Sequence, residues 1–577
     1  MPAPHPSPPA TPPRSERGVT SYANKILLLV SSLATLGVLG WAALEENLLR
    51  DWRVVQRTYA DALPADARGQ FKSQLRQIVV PALKTTDRCI TCHLGMAPGE
   101  QAIPGQRLFA AHPPIPHEPG EFGCVVCHGG QGLATDTADA HGTVPHWPEP
   151  MVPSRFAQAG CGSCHTHLTV PNLALLRQGQ AVVERYDCLA CHAVDGRGGT
   201  IRPGGAAGLA APDLTLSGAR GYDRSWYEGH LASHERSQEG PWRTSFRAIP
   251  SEDREALTAY LESRVGAPKL IEGKALFHSL GCRGCHKVGG VGGDDGPDLT
   301  VAGQRDPGQT SFAGVPGERS LANWFAEHFR NPSAVVAGSQ MPAMGLSEEE
   351  IEALVLFTFS LRRSPFPEAF WPRDRIRSER FGEREFATDG ATLYGTFCAA
   401  CHGRSGEGMR YPGMTPFPAV ANPDFLTLAS DEFLTAAITR GRPGRRMPAW
   451  GVGEGGLRPN EIATLVSWLR EVSGVRPEPD SRPHRWVSGD LGEGERLYRA
   501  ACSGCHGPAG EGAEGPALAN SVFLSTASDT YLVETITRGR RGTSMEGFAR
   551  PSTTRRALAT EEIQAIVAFI RSWESKP

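Results

Sequence analysis

The 577-residue chain has no cysteine to spare: all fourteen lie in Cys-x-x-Cys-His boxes, which leaves none for a separate disulfide framework. Methionine is scarce as well, with nine residues, so any role for thioether sulfur is confined to a few positions. The net charge is only −3, and no one-signed field is available to draw the protein to nucleic acid. Glycine (66) and proline (47) are by contrast abundant, which suits loops wrapped around a prosthetic group.

The seven boxes are Cys89-Cys92-His93, Cys124-Cys127-His128, Cys161-Cys164-His165, Cys188-Cys191-His192, Cys282-Cys285-His286, Cys398-Cys401-His402 and Cys502-Cys505-His506. At this spacing two thiols add to the vinyl groups of haem, and the adjacent histidine binds iron from the proximal side. Zinc knuckles need no histidine after every pair, and thioredoxin-like thiol pairs come singly on a βαβ unit. The pattern therefore predicts seven covalently attached c-type haems, with all fourteen cysteines as attachment points and the seven box histidines as iron ligands.

Residues Ile26–Leu44 form a run without charge, enough for roughly 28 Å of helix and one bilayer crossing, with Trp41 near its far end. The alternative, a signal peptide cut after Ala42 or Ala43, is disfavoured because the run exceeds the usual ~7–15-residue signal core. Flanking charges do not orient the segment, since Arg14, Arg17 and Lys25 face Arg50, Arg53 and Arg57 across it. Haem attachment takes place outside the bacterial inner membrane, so the expectation is a single-pass protein with a periplasmic bulk. Residues 1–25 would be a disordered cytoplasmic tail and 26–44 the anchor.

Two regimes of box spacing follow. The first three boxes fall within Cys89–His165, too close for separate cores, which predicts a loop-rich three-haem module over 45–170. The last four are 94, 116 and 104 residues apart. These spacings predict α domains over 172–266, 268–363, 388–474 and 490–577, with semi-extended linkers at 364–387 and 475–489. Each of the four opens with Gly-x-x-x-apolar (Gly179/Val183, Gly273/Phe277, Gly390/Tyr394, Gly494/Tyr498). Each closes with a helix bearing an aromatic residue (Tyr260, Phe357, Trp468, Phe569). A glycine facing an aromatic lets two helices cross closely. Ser347 with Glu350 reads as a capping box on one closing helix. The pattern resembles class I cytochrome c domains over roughly residues 172–575, so the fold expected is mainly α.

That resemblance implies a sixth iron ligand in a loop before the final helix, commonly as Met-Pro. Met341 ("SQMPAMG") fits the Cys282 domain with Met344 competing, Met447 ("RRMPAW") fits the Cys398 domain, and Met545 ("GTSMEGF") the last. Thioether ligation raises a haem's potential relative to a second imidazole. The Cys188 domain has no methionine between His192 and Met341, and its matching loop reads "PWRTSFRAIP". There His234 is the preferred ligand. His230 aligns with His328 of the next domain and reads as a shared family feature, and a ligand lent by the N-terminal module or an open iron site are the other options. In the N-terminal part His112, His117 and His141 are the expected distal ligands. His146 is in reserve, and His167 is too near His165 to reach the opposite face.

The stretch "FGCVVCHGGQGLATDTADAHG" resembles multihaem cytochromes that accompany quinol-oxidising cytochrome b complexes, which implies cytochrome b or iron–sulfur partners. Arginines gather beside two methionine loops: Arg440, Arg442, Arg445 and Arg446, then Arg538, Arg540 and Arg541. They could pair with haem propionates, steer an acidic redox partner, or form a solvated face. The expected function is a membrane-anchored carrier passing electrons from a quinol-oxidising module to a high-potential acceptor. The alternative is a reductase of a small oxyanion or peroxide with an open iron at the Cys188 haem. No Cys-x-x-Cys-Lys box is present, which argues against resemblance to the pentahaem nitrite reductases.

Overall fold

A computed structural model describes residues 14–165, 170–199, 211–236 and 248–574. The chain is mainly helical. Among the described residues the only ladders are two short antiparallel pairs, Ile78–Val80 with Thr85–Asp87 and Ala193–Val194 with Arg197–Gly198. The apolar run lies in a helix that begins at Arg14, inside the stretch expected as an unstructured tail, and continues to Leu44. Leu27, Leu36 and Val38 on it are all two-thirds exposed. It is the one described helix long and apolar enough to cross a membrane.

The chain forms two compact units, the first being the part up to Pro113 with Phe122–Val125 and Gly130–Val144. Its small core is Tyr59, Leu63, Leu94 and Phe109. The buried Gln56 amide is satisfied by the Gln74 and Thr91 carbonyls at 2.8 and 2.9 Å. The strand Thr85–Asp87 ends in a fully buried carboxylate, and Asp87 Oδ2 accepts the backbone N–H of Cys124.

The second unit comprises Pro114–Glu121, Val126–Gly129 and the chain from Pro145 onward. Four opening helices, Leu173–Arg185, Pro268–Ser279, Gly390–Phe397 and Leu491–Ala501, each cross a closing helix: Ser251–Glu262, Glu348–Ser360, Pro459–Ser473 and Thr560–Arg571. The crossings fall at the glycines singled out by pattern. A Cβ on Gly179, Gly273 or Gly494 would overlap the carbonyl oxygen of Ala256, Ala353 or Ala565, and one on Gly390 would overlap the Trp468 side chain. Gly494→Ala is thus expected to destabilise the last repeat by about 1–3 kcal/mol, the usual cost of overpacking, read as a lower thermal unfolding midpoint. Ser347 and Glu350 form the reciprocal cap, with N···O distances of 3.2 and 3.0 Å.

Three boundaries differ from expectation. The first and second repeats share one apolar core and the third and fourth another, so the four are built as two pairs. Repeats this small gain burial by fusing cores. The third box does not stay with the first in one 45–170 module. Its 3₁₀ turn Ser154–Ser163 lies in the second unit and packs on the closing helix Glu348–Ser360, where a Cβ on Gly162 would overlap the Ser360 carbonyl. The linkers are also more than spacers. Residues 364–387 contain the helix Arg373–Phe381 and contribute buried Phe386 to the second core. Residues 475–489 are extended but docked, with the Trp486 and Val487 N–H groups donating to Asp529 Oδ2 at 2.7 and 2.8 Å.

Candidate haem centres

Each box is a tight helical turn. In six of the seven, the N–H of the box histidine donates to the carbonyl of the first cysteine at 2.8–3.0 Å. The seventh forms the short helix Val125–His128. Burial pushes the thiols of Cys188 and Cys502 up to about 11 and those of Cys161, Cys282 and Cys398 up to about 12.

The proximal histidines are aimed by a second contact. Nδ1 of His192, His286, His402 and His506 lies 2.8, 2.9, 2.8 and 2.8 Å from the carbonyl oxygens of Pro212, Pro297, Pro418 and Pro516. A carbonyl only accepts, so Nδ1 carries the proton and Nε2 keeps the lone pair that would bind the iron of an attached haem. In two repeats the preceding residue is glycine, and a Cβ on Gly296 or Gly515 would strike the imidazole of His286 or His506. These side chains fit a covalently held haem.

His165 differs. Its Nδ1 is 3.0 Å from Asp374 Oδ1, a carboxylate on the linker helix 209 residues away in sequence. On its other side, the His117 ring centroid stands 5.9 Å from that of His165, with planes inclined by 29°. That is too far for face-to-face stacking. It is about the separation of two imidazoles that share a metal, each bound at ~2 Å.

The other expected ligands are distributed as follows. His141 lies within electrostatic range of His93 in the first unit. His112 has Nδ1 2.7 Å from the Pro113 carbonyl, and His146 is exposed with a left-handed backbone (φ 67°). His167 and the side chain of His234 lie outside the described residues. Met341, Met447 and Met545 are half-buried in the loops before their closing helices. The last two loops are built alike, the N–H of Arg442 donating to the Met447 carbonyl and that of Arg540 to the Met545 carbonyl at 2.8 and 2.7 Å.

The arginines mostly join repeats. The Arg442 guanidinium lies over Phe433 and Phe523 at 5.7 and 5.8 Å, and Arg540 over Phe425 and Tyr531 at 4.9 and 5.9 Å. Arg541 pairs with Asp424, and Arg446 with Asp295, at 2.7 and 2.8 Å. Arg538 pairs with Glu534 and Glu478 at 2.8 and 2.9 Å. Arg440 and Arg445 are exposed, as a solvated face requires. Boxes also abut: the Cys89 and Cys124 sulfurs lie within 4.8 Å of one another in the first unit, and the Cys285 and Cys401 thiols are close enough to act on each other's charge in the second. Gly281, with φ +75°, presses against Ala400 beside the latter pair.

Sequence reasoning missed the proline carbonyls, Asp374, and a buried cluster of Lys274, Arg283 and Glu385. The repeated Pro-Asp-Leu-Thr at Pro212–Thr215 and Pro297–Thr300 was a signal for the first. Asp374 carries none, because its role depends on a contact made only in the folded chain.

Known proteins give the same picture over part of the chain. The family model for cytochrome c oxidase, cbb3-type, subunit III matches residues 385–469 and 489–570, and that for cytochrome c matches residues 270–361. The Cbb3-type cytochrome c oxidase subunit FixP of Bradyrhizobium diazoefficiens is 30% identical over 195 residues, 32% of this chain and 59% of the relative. Subunit CcoP of Azospirillum sp. is 27% identical over 171 residues, covering 26% and 53%. Cytochrome c oxidase subunit 2 of Alkalihalophilus pseudofirmus is 35% identical over 94 residues, covering 16% and 25%. The chain thus spans less than two thirds of the length of these relatives. With three matched cytochrome c domains, each containing one of its Cys-x-x-Cys-His turns, the chain is a multihaem c-type cytochrome.

Proposed function

We propose that this chain is a membrane-anchored, periplasmic heptahaem electron carrier. It would accept electrons from a quinol-oxidising module with cytochrome b or iron–sulfur subunits and deliver them to a high-potential acceptor protein. The observation that carries the reading is the set of five proximal histidines whose Nδ1 is already engaged, leaving Nε2 for iron. Bound haem supplies reversible one-electron chemistry. The side chains decide how strongly each site favours the reduced state. Sulfur from Met447 and Met545 raises the potential at the C-terminal end, whereas paired imidazoles at His117 and His165 lower it. That ordering runs downhill for electrons from the N-terminal boxes to the last two repeats. The oxidase relatives supply a precedent for such domains in membrane respiratory complexes, and the exposed helix Arg14–Leu44 supplies the tether.

Protein matured in its native host is expected to carry seven haem adducts by intact mass, with no thiol open to alkylation. It is also expected to co-purify with a cytochrome b or iron–sulfur subunit. Fewer adducts, or recovery as a lone soluble protein, would overturn the reading.

A further inference from the structure

We infer that His328 and His230, on matched helices of the second and first repeats, are the sixth iron ligands of the Cys282 and Cys188 haems, and that Met341 is not a ligand. This rests on the heptahaem reading above and assigns two of its sites.

The two helices are built alike. In Leu321–Arg330, Trp324 and His328 are one turn apart and their rings stack at 4.9 Å and 10°. In Arg224–Arg236, Trp226 and His230 stack at 4.9 Å and 5°. An i, i+4 pair shares a helix face, so the indole fixes the plane of the imidazole above it. The next residue in each helix is anchored in the core, although Trp226 itself is 41% exposed where Trp324 is buried. Phe325 is buried edge-on to Phe359, with centroids 5.4 Å apart, and Tyr227 is buried with its hydroxyl donating to the Ser217 carbonyl at 3.0 Å. In the second repeat the Arg305 guanidinium also lies over the Trp324 ring at 4.3 Å.

His328 is placed for ligation. Its Nδ1 is buried without a hydrogen-bond partner, and the proximal His286 is close enough to act on its charge. Buried imidazole nitrogens are ordinarily satisfied, so an orphan here calls for an occupant. Met341 differs from Met447 and Met545 in one respect. The N–H groups of Met341 and Met545 both donate to a hydroxyl two residues earlier, at 3.3 and 3.1 Å, but only the Met447 and Met545 carbonyls receive an arginine N–H across the loop. A common ligand also explains the first repeat, which has no methionine in its loop but retains the Trp-x-x-x-His face. The Cys188 iron then has no vacancy for a substrate.

The test uses holoprotein and reads ligand spectra. A ferric haem with methionine sulfur has a weak long-wavelength absorption band that a bis-histidine haem lacks. The wild type is expected to show this band from two haems per chain, and Met341→Ala to leave it unchanged with seven haems attached. His328→Ala and His230→Ala are each expected to produce one high-spin haem that binds cyanide, again with the band unchanged. Loss of a third of the band in Met341→Ala would overturn the assignment of His328, and an all-low-spin His230→Ala protein that of His230. If His328→Ala fails to mature, Met341→Ala alone decides. A count below seven in the wild type would instead defeat the heptahaem reading.

Discussion

Asp374→Asn is expected to raise the midpoint potential of one haem, that of Cys161, by roughly 60–120 mV without changing its ligands. Four proximal histidines donate Nδ1–H to a neutral proline carbonyl, whereas His165 donates to a carboxylate. A negative acceptor draws the proton further from the ring, makes the imidazole a stronger donor and favours ferric iron. The carboxylate is charged when it acts. Burial, the largest single effect, pushes its pKa up, but the His165 hydrogen bond and charge together with backbone N–H groups outweigh it and hold the group below its ordinary value. Its place in the first turn of Arg373–Phe381 also favours the anion. Such outer partners typically count for a factor of about 10–100, and each tenfold is ~59 mV for one electron. Asparagine preserves the shape and an acceptor oxygen, so only the charge is removed. A redox titration followed by electron paramagnetic resonance should move one of the bis-imidazole signals and leave the other centres in place. An unmoved signal would show that the carboxylate positions the ring and nothing more.

Glu385→Gln is expected to cost about 3–5 kcal/mol, the largest loss of stability from a single conservative change in this chain. Lys274 and Arg283 are 5% and 1% exposed and share this one carboxylate. Nζ of Lys274 is 2.9 Å from Glu385 Oε2, Arg283 bonds Oε1, and Nη1 of Arg283 also donates to the Val288 and Val291 carbonyls at 2.7 and 2.8 Å. Burial pushes Lys274 down to about 7 and Arg283 to about 9, and Glu385 is the carboxylate in direct contact with both. Breaking such a cluster from one side leaves charge in a medium that solvates it poorly, and the cost follows from that. Chemical unfolding should show the loss, and Lys274→Met combined with Glu385→Gln should recover part of it. Equal losses in the single and the double variant would mean that Glu385 acts by packing. The cluster joins the opening helix of the second repeat, the interior of its box and the approach to the third. The boxes of Cys285 and Cys401 abut in this same unit.

Much of the candidate site was legible because its chemistry is local. Two thiols and an imidazole within one helical turn require only their spacing, and Gly179, Gly273, Gly390 and Gly494 require only the rule that backbones meet where no Cβ intervenes. The cap at Ser347 is equally local. The pairing of repeats was not legible. Arg442 and Arg540 look like a basic patch in the sequence, and only the fold places them over aromatic rings. His328 likewise reads only as a feature shared with His230 until its stacking on Trp324 is seen.

By itself, then, the order of residues determined where the Cys-x-x-Cys-His turns lie, which histidine each turn presents, and where helices cross. These all depend on neighbours within a turn or two. Only the tertiary structure decided what lies behind each histidine, which boxes touch, and which ring faces which across the metal site. Those contacts join residues as distant as His165 and Asp374, and a linear pattern cannot encode which of many carboxylates folding will bring within 3.0 Å of a given nitrogen.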